Sequence, residues 1–145
     1  MSDLSAFFAQ NAAAESTEEF IVSDRFKGKD GLPISWQLRS ISAAEDEECR
    51  KAATKRNKGK GGQTVTEIST EEYLAKVAVS CIVYPNLKDA ELQKSYGVIG
   101  ADSLLRKMLL AGEYVGLVQK VQELNGYDKD MSELVDEVKN RSRRA

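Results

Sequence analysis

The sequence predicts a mainly α (α+β) protein, a helical domain carrying a short N-terminal β-hairpin, from three observations. Apolar residues recur at three-and-four intervals through Leu104, Leu105, Met108 and Leu109, through Tyr114, Val115, Leu117, Val118, Val121 and Leu124, and through Met131, Leu134, Val135 and Val138. That is the spacing of amphipathic helices. Ser42-Ala43-Ala44-Glu45 and Ser69-Thr70-Glu71-Glu72 are capping boxes that open helices. Ile34, Trp36 and Leu38 alternate instead with period two, as a strand with one buried face does.

At 145 residues the chain has the size of one domain with one core, predicted to span 1–145. Hydrophobic residues at 41% and charged residues at 30% are ordinary globular values and exclude disorder throughout. An N-terminal helix and hairpin occupy about 4–41, and a helical part about 42–140, interrupted by a flexible loop at about 57–68.

Leu4, Phe7 and Phe8 put a small apolar face on a short helix starting after Ser2 or Asp3 and extended by Ala12 to Ala14. A docking helix is favoured over a membrane-binding one, because its polar face carries no Lys or Arg. Residues 20–26 and 34–41 are β-formers, and the intervening Lys27-Gly28-Lys29-Asp30-Gly31-Leu32-Pro33 supplies the turn. The helix opened by Ser42 has only Ala43, Ala44, Cys49, Ala52 and Ala53 as apolar residues, so it is expected to be exposed on most sides. Its end runs into Asn57-Lys58-Gly59-Lys60-Gly61-Gly62-Gln63, whose glycines predict the loop.

The helix opened by Ser69 continues through Leu74, Val77, Ala78, Cys81 and Ile82 to Pro85, with a buried strand over 77–84 as the alternative. Further helices fit 88–96, 103–110 capped by Asp102, 113–124 separated by Gly112 and ended by Asn125-Gly126, and 131–140 opened by Asp130. Loops of this length imply packed neighbours. Trp36 is read as core rather than a partner hot spot.

Function classes narrow from composition. Histidine is absent, which removes the commonest general base, metal ligand and nucleophile partner. Cys49 and Cys81 are too few for a zinc site, and an exposed Cys49 with a buried Cys81 suits a reducing compartment better than a disulfide framework. The first residues lack the pattern of a signal peptide, and no apolar stretch approaches the roughly 20 residues that span a bilayer. No catalytic residues, no cofactor and no metal site are therefore predicted, and no membrane association.

Net charge is −2 but uneven: residues 1–48 hold ten acids and four bases, and residues 49–60 hold six bases and no acid. The basic segment Arg50, Lys51, Lys55, Arg56, Lys58 and Lys60 raises a second reading, a small cytoplasmic regulatory nucleic-acid-binding protein using segment 50–60. It lacks interleaved aromatics for base stacking, and a solvated helix end explains it more simply. Gly59-Lys60-Gly61-Gly62 lacks phosphate-loop spacing, and Asp128-Lys129-Asp130 lacks the Gly and Glu of a calcium loop. The stripes of the last third are more often core than interface. Short helices cannot cover all of them, however, which leaves surface for a partner helix and makes Leu109, Tyr114, Val118 and Val121 the partner-binding candidates.

This order of elements carries an acidic Phe-bearing N-terminus, Arg25-Phe26, Trp36-Gln37-Leu38-Arg39, Tyr84-Pro85-Asn86-Leu87, and Gly112-Glu113-Tyr114 leading to Asn125-Gly126-Tyr127. In these features the chain resembles the XkdN-like tail assembly chaperones of tailed phages and prophages over roughly residues 4–138. The resemblance implies non-enzymatic work in the host bacterial cytoplasm: coating the long helical tape measure protein until tail tube protein polymerises around it, and absence from the finished virion. It also implies, as a further partner, a frameshifted longer form of the chain itself. Lys139-Asn140 is compatible with a slippery codon run, with 141–145 ending the short form.

Overall fold

The computed structural model describes residues 3–12 and 17–127. The last predicted helix at 131–140, its opening Asp130, Ala13, Ala14 and the tail 141–145 lie outside the described residues. Strand β1 is Glu18–Phe20, β2 Trp36–Leu38, β3 Thr54–Lys58, β4 Thr64–Ile68 and β5 Ile82–Tyr84. Helix α1 is Ala43–Ala52, α2 Thr70–Cys81, α3 Ala90–Ser95, α4 Ala101–Met108 and α5 Ala111–Leu124. Strands β1, β2 and β5 form one antiparallel sheet in the order β1-β2-β5, and β3 pairs β4 in a second. The fold is thus mixed α+β, with more strand than the single hairpin expected.

The predicted N-terminal hairpin is present in outline, Phe20 opposing Trp36 and Glu18 opposing Leu38. Lys27 and Pro33 bridge nearer the turn. Trp36 and Leu38 are buried at 2% and 0% exposure, as their alternation requires, while Ile34 stays at the surface.

Helix α2 is central, packing against α1, α4, α5 and β5. It buries Ala75, Val77, Ala78 and Cys81. Small residues at 75 and 78 let its neighbours approach, and Leu104, Leu105, Leu117 and Val121 from α4 and α5 close the core with Trp36 and Leu38 beneath. The strand alternative over 77–84 resolves into both: the helix runs to Cys81, and Ile82–Tyr84 turns into β5 to take the free edge of β2.

The Ser42 capping box forms completely, with Glu45 N–H donating to Ser42 Oγ at 3.2 Å and Ser42 N–H donating to Glu45 Oε1 at 3.3 Å. The Ser69 box forms by half. Ser69 Oγ accepts from Glu72 N–H, but Ser69 N–H already donates to Ala53 O at 3.0 Å, so the Glu72 carboxylate pairs with Lys55 instead.

Several expectations are corrected. Segment 57–68 is no loop: the β-branched run Thr64-Val65-Thr66-Glu67-Ile68 pairs back on β3, and Gly61 and Gly62, at φ of 80° and 78°, make the reversal that side-chain-bearing residues resist. Asp102 does not cap α4. Gly100, at φ 106°, takes that position, and Asp102 lies in the first turn and accepts from Lys76 at 3.2 Å. Gly112 lies inside α5, the break falling at Leu109 and Leu110. Cys49 is not exposed: at 6% exposure it faces α2, 3.5 Å from Ser80 Oγ. Leu4, Phe7 and Phe8 sit on and beside a 3₁₀ turn, Asp3–Phe7, and are exposed rather than docked.

Candidate partner-binding surface

The four residues selected from periodicity are not equally open. Leu109 and Val121 are core, at 7% and 2% exposure, whereas Tyr114 and Val118 are half-buried. Burial also pushes the Tyr114 hydroxyl pKa up. Packing against α2 turns the Leu117–Val121 stripe of α5 inward, so the apolar residues of this region left open are Leu110 and Val115, at 59% and 53%.

A second apolar feature comes from five separated parts of the chain. Phe26, Ile34, Trp36, Tyr84, Pro85, Leu92, Tyr96 and Met108 line an open groove of about 180 Å³. Ile34 N–H donates to Phe26 O at 2.9 Å, setting those two side chains together across the predicted turn. Tyr84 arrives at the end of β5, followed through a cis peptide by Pro85. Asp89 caps α3 by accepting from Leu92 N–H at 2.9 Å, and that helix contributes Leu92 and Tyr96. Gln93 fixes α3 at both ends, donating to Leu87 O at 2.9 Å and accepting from Gly100 N–H at 3.0 Å. Sequence reasoning singled out Tyr84-Pro85-Asn86-Leu87 but not the groove. The available signal was a set of scattered aromatics, Phe26, Tyr84 and Tyr96, that belong to no apolar helix stripe.

Arg25 clamps the groove's flank to the α4–α5 junction. Its guanidinium donates to Glu113 Oε1 at 2.6 Å, to Glu113 Oε2 at 3.3 Å and to Met108 O at 2.8 Å. Glu113 also accepts from Leu110 N–H at 2.8 Å, satisfying the first turn of α5. The Arg25 hydrogen bond first, then those of Ser23 and the Leu110 amide, hold the Glu113 carboxyl down at about 2 against an ordinary 4.5. A carboxyl depressed in the folded state adds stability that is complete above its unfolded value and is lost as pH falls from 4.5 to about 2. Glu113→Gln is therefore expected to flatten that stretch of the stability profile. The gap in urea midpoint between wild type and variant should be full near neutrality and close toward pH 2.

Asn125, from the predicted Asn-Gly terminator, joins the two ends of the fold. Its Oδ1 accepts from Ile41 N–H at 2.8 Å, and its Nδ2 donates to Val121 O at 2.8 Å and lies 3.4 Å from Cys81 Sγ. Asn125→Ala leaves the half-buried Ile41 amide without its acceptor, so a loss of about 1–3 kcal/mol is expected in chemical denaturation.

The basic segment is divided. Arg50 pairs with Asp46 at 3.1 Å and lies over the Tyr73 ring, Lys51 pairs with Glu47 at 3.9 Å, and Lys55 pairs with Glu72 at 3.1 Å. The Tyr73 hydroxyl donates to Asp46, and burial with that bond raises the Tyr73 pKa. Arg56, Lys58 and Lys60 make no ion pair among the described residues. No group of His, Cys, Asp and Glu among the described residues is arranged to hold a metal ion, and no described helix is long and apolar enough to cross a membrane.

Fold and surface together describe a small α+β protein whose open features are an apolar groove and a charged hairpin. Residues 4–139 match the family model of phage XkdN-like tail assembly chaperone proteins, and the chain belongs to that family. It is 30% identical over 139 residues to the uncharacterized protein YqbN of Bacillus subtilis (strain 168), covering 95% of this chain and 93% of that one. It is 29% identical over 140 residues to the phage-like element PBSX protein XkdN of the same organism, covering 95% and 94%. A crystal structure of YqbN is similar with a TM-score of 0.74 at 26% identity, over 87% of this chain and 98% of that chain.

Proposed function

We propose that this protein is a tail assembly chaperone that binds the tape measure protein and assists tail tube assembly in the host cytoplasm, without catalysis and without entering the virion. The observation that carries this reading is the aromatic groove at Phe26, Ile34, Trp36, Tyr84 and Tyr96. An amphipathic helix presents side chains at i, i+3 and i+4, and a shallow apolar groove with rigid aromatic walls receives two or three of them. Weak binding repeated along a long helical partner is released when tube protein competes for the same surface. Tyr114 and Val118, with Leu110 and Val115 beside them, give a second contact on α5, which Leu109 and Val121 hold in place from beneath. The test is co-expression with the tape-length protein of the same gene cluster. That protein is expected in the soluble fraction only when this chain is present, and its remaining insoluble with the wild-type chain would sink the proposal.

A further inference from the structure

The β3–β4 hairpin stands away from the body of the protein. Every residue of both strands is exposed except Thr54, which is partly covered at the base. The ribbon is anchored there by Ser69 N–H donating to Ala53 O at 3.0 Å, by Thr54 Oγ1 donating to Arg50 O at 2.7 Å and by the Lys55–Glu72 ion pair. A two-stranded ribbon that buries so little adds little to the stability of the fold.

Register divides the ribbon into two chemically different faces. On one, Lys55 opposes Glu67 and Asn57 opposes Val65. Its charges are matched, since Lys55 has Glu67 across from it and Glu72 beside it, and Val65 lies over Gly59, where a Cβ would come within 2.5 Å of it. On the other, Arg56 opposes Thr66 and Lys58 opposes Thr64, with Thr54 and Ile68 at the base and Lys60 beyond them at the tip. That face carries no acid. Among the described residues Arg56, Lys58 and Lys60 make no ion pair, and the hydroxyls of Thr64 and Thr66 have no hydrogen-bond partner. The helix-end reading does not hold for these cations: α1 stops at Ala52, and its dipole does not reach past the last turn.

Arginine, lysine and threonine are side chains that bond phosphate oxygens, the first two by charge and the third by its hydroxyl. A two-stranded ribbon fits the major groove of B-form DNA, about 12 Å wide, whereas the major groove of an RNA helix is too narrow for it. Neither strand carries an aromatic residue to stack on unpaired bases, which disfavours single strands. Gly61 and Gly62 leave the tip without side chains, so it enters a groove unobstructed. Asn57, the one amide on β3 able to read a base edge, lies on the opposite face.

We propose that the ribbon face bearing Arg56, Lys58, Thr64 and Thr66, with Lys60 at its tip, binds the phosphate backbone of double-stranded DNA without regard to base sequence. The net charge of −2 on the whole chain confines contact to the ribbon, and the affinity expected at low salt is about 10–100 µM. This site is separate from the aromatic groove and does not depend on what that groove takes.

Fluorescence anisotropy of a labelled duplex of about 20 bp, titrated with the full-length chain at about 50 mM salt, tests it. Three phosphate contacts give a slope of log affinity against log salt of about −3. Arg56→Glu/Lys58→Glu is expected to weaken binding at least about thirtyfold with circular dichroism unchanged. Lys27→Glu/Lys29→Glu, which changes the net charge equally at the turn between β1 and β2, should weaken it no more than about threefold. Thr64→Ala/Thr66→Ala, which leaves charge untouched, should weaken it about twofold to fivefold. The proposal is overturned if no duplex is bound at low salt, if the two charge reversals weaken binding alike, or if polyglutamate, a single strand or anionic vesicles bind as well as the duplex does.

Discussion

Leu104→Ala is expected to lower the unfolding free energy by about 3–5 kcal/mol, the largest effect of any single truncation considered for this protein. Leu104 is fully buried, one of the largest side chains in a core that joins α4 to α2, α5 and the sheet. Truncation removes the transfer free energy of the lost carbons and leaves a cavity that helices held on three sides cannot collapse into. Domains of this kind have about 5–15 kcal/mol in all, so a melting point lower by about 10 °C follows. Ile99 is the control: it lies five residues earlier, equally apolar, at 94% exposure. Ile99→Ala should stay within about 0.5 kcal/mol. Equal losses at the two positions, measured by urea denaturation, would show the core to be placed wrongly.

Ile34→Asp/Tyr84→Asp is expected to weaken binding of the tape measure protein by about a hundredfold, two apolar anchors at the scale of 1–3 kcal/mol each. Both residues reach solvent, at 37% and 51% exposure, so a charge at either is hydrated in the free protein and the melting point should barely move. In the bound state the same carboxylates would be stripped of water beside Phe26 and Tyr96, and the neighbouring Arg25 guanidinium is already engaged by Glu113 and Met108 O. Calorimetric titration of the wild type and the double variant with a tape segment measures the difference. Unchanged affinity would remove the groove from the proposal. If Leu110→Asp/Val115→Asp abolished binding instead, the contact would belong to α5.

The helices were readable because their determinants are local. Ser42 and Glu45 find each other three residues apart, Ser69 receives the Glu72 amide, and Asn125 ends α5 where the Asn-Gly pair predicted. Segment 57–68 escapes local reasoning because glycines that stop a helix also turn a hairpin, and only pairing with β3 decides which of the two the β-branched residues after them serve. Cys49 was misread because a helix poor in large apolar residues can still bury one face when small residues on α2 lie close against it. The partner-binding residues were chosen from a stripe, and a stripe does not say which of its members the fold itself will use.

The sequence by itself determined that helices open at Ser42 and Ser69 and that one ends at Asn125, that Trp36 and Leu38 share a buried face, and the family to which the chain belongs, since caps, periodicity and motif order are all written within short spans. Only the tertiary structure decided that Leu109 and Val121 face inward and that eight residues from distant segments form one groove. The physical reason is range. A hydrogen bond at a helix end spans three residues, but which side of a helix is covered depends on neighbours far along the chain, as the joining of Arg25 to Glu113 across 88 positions and of Ile41 to Asn125 across 84 makes plain.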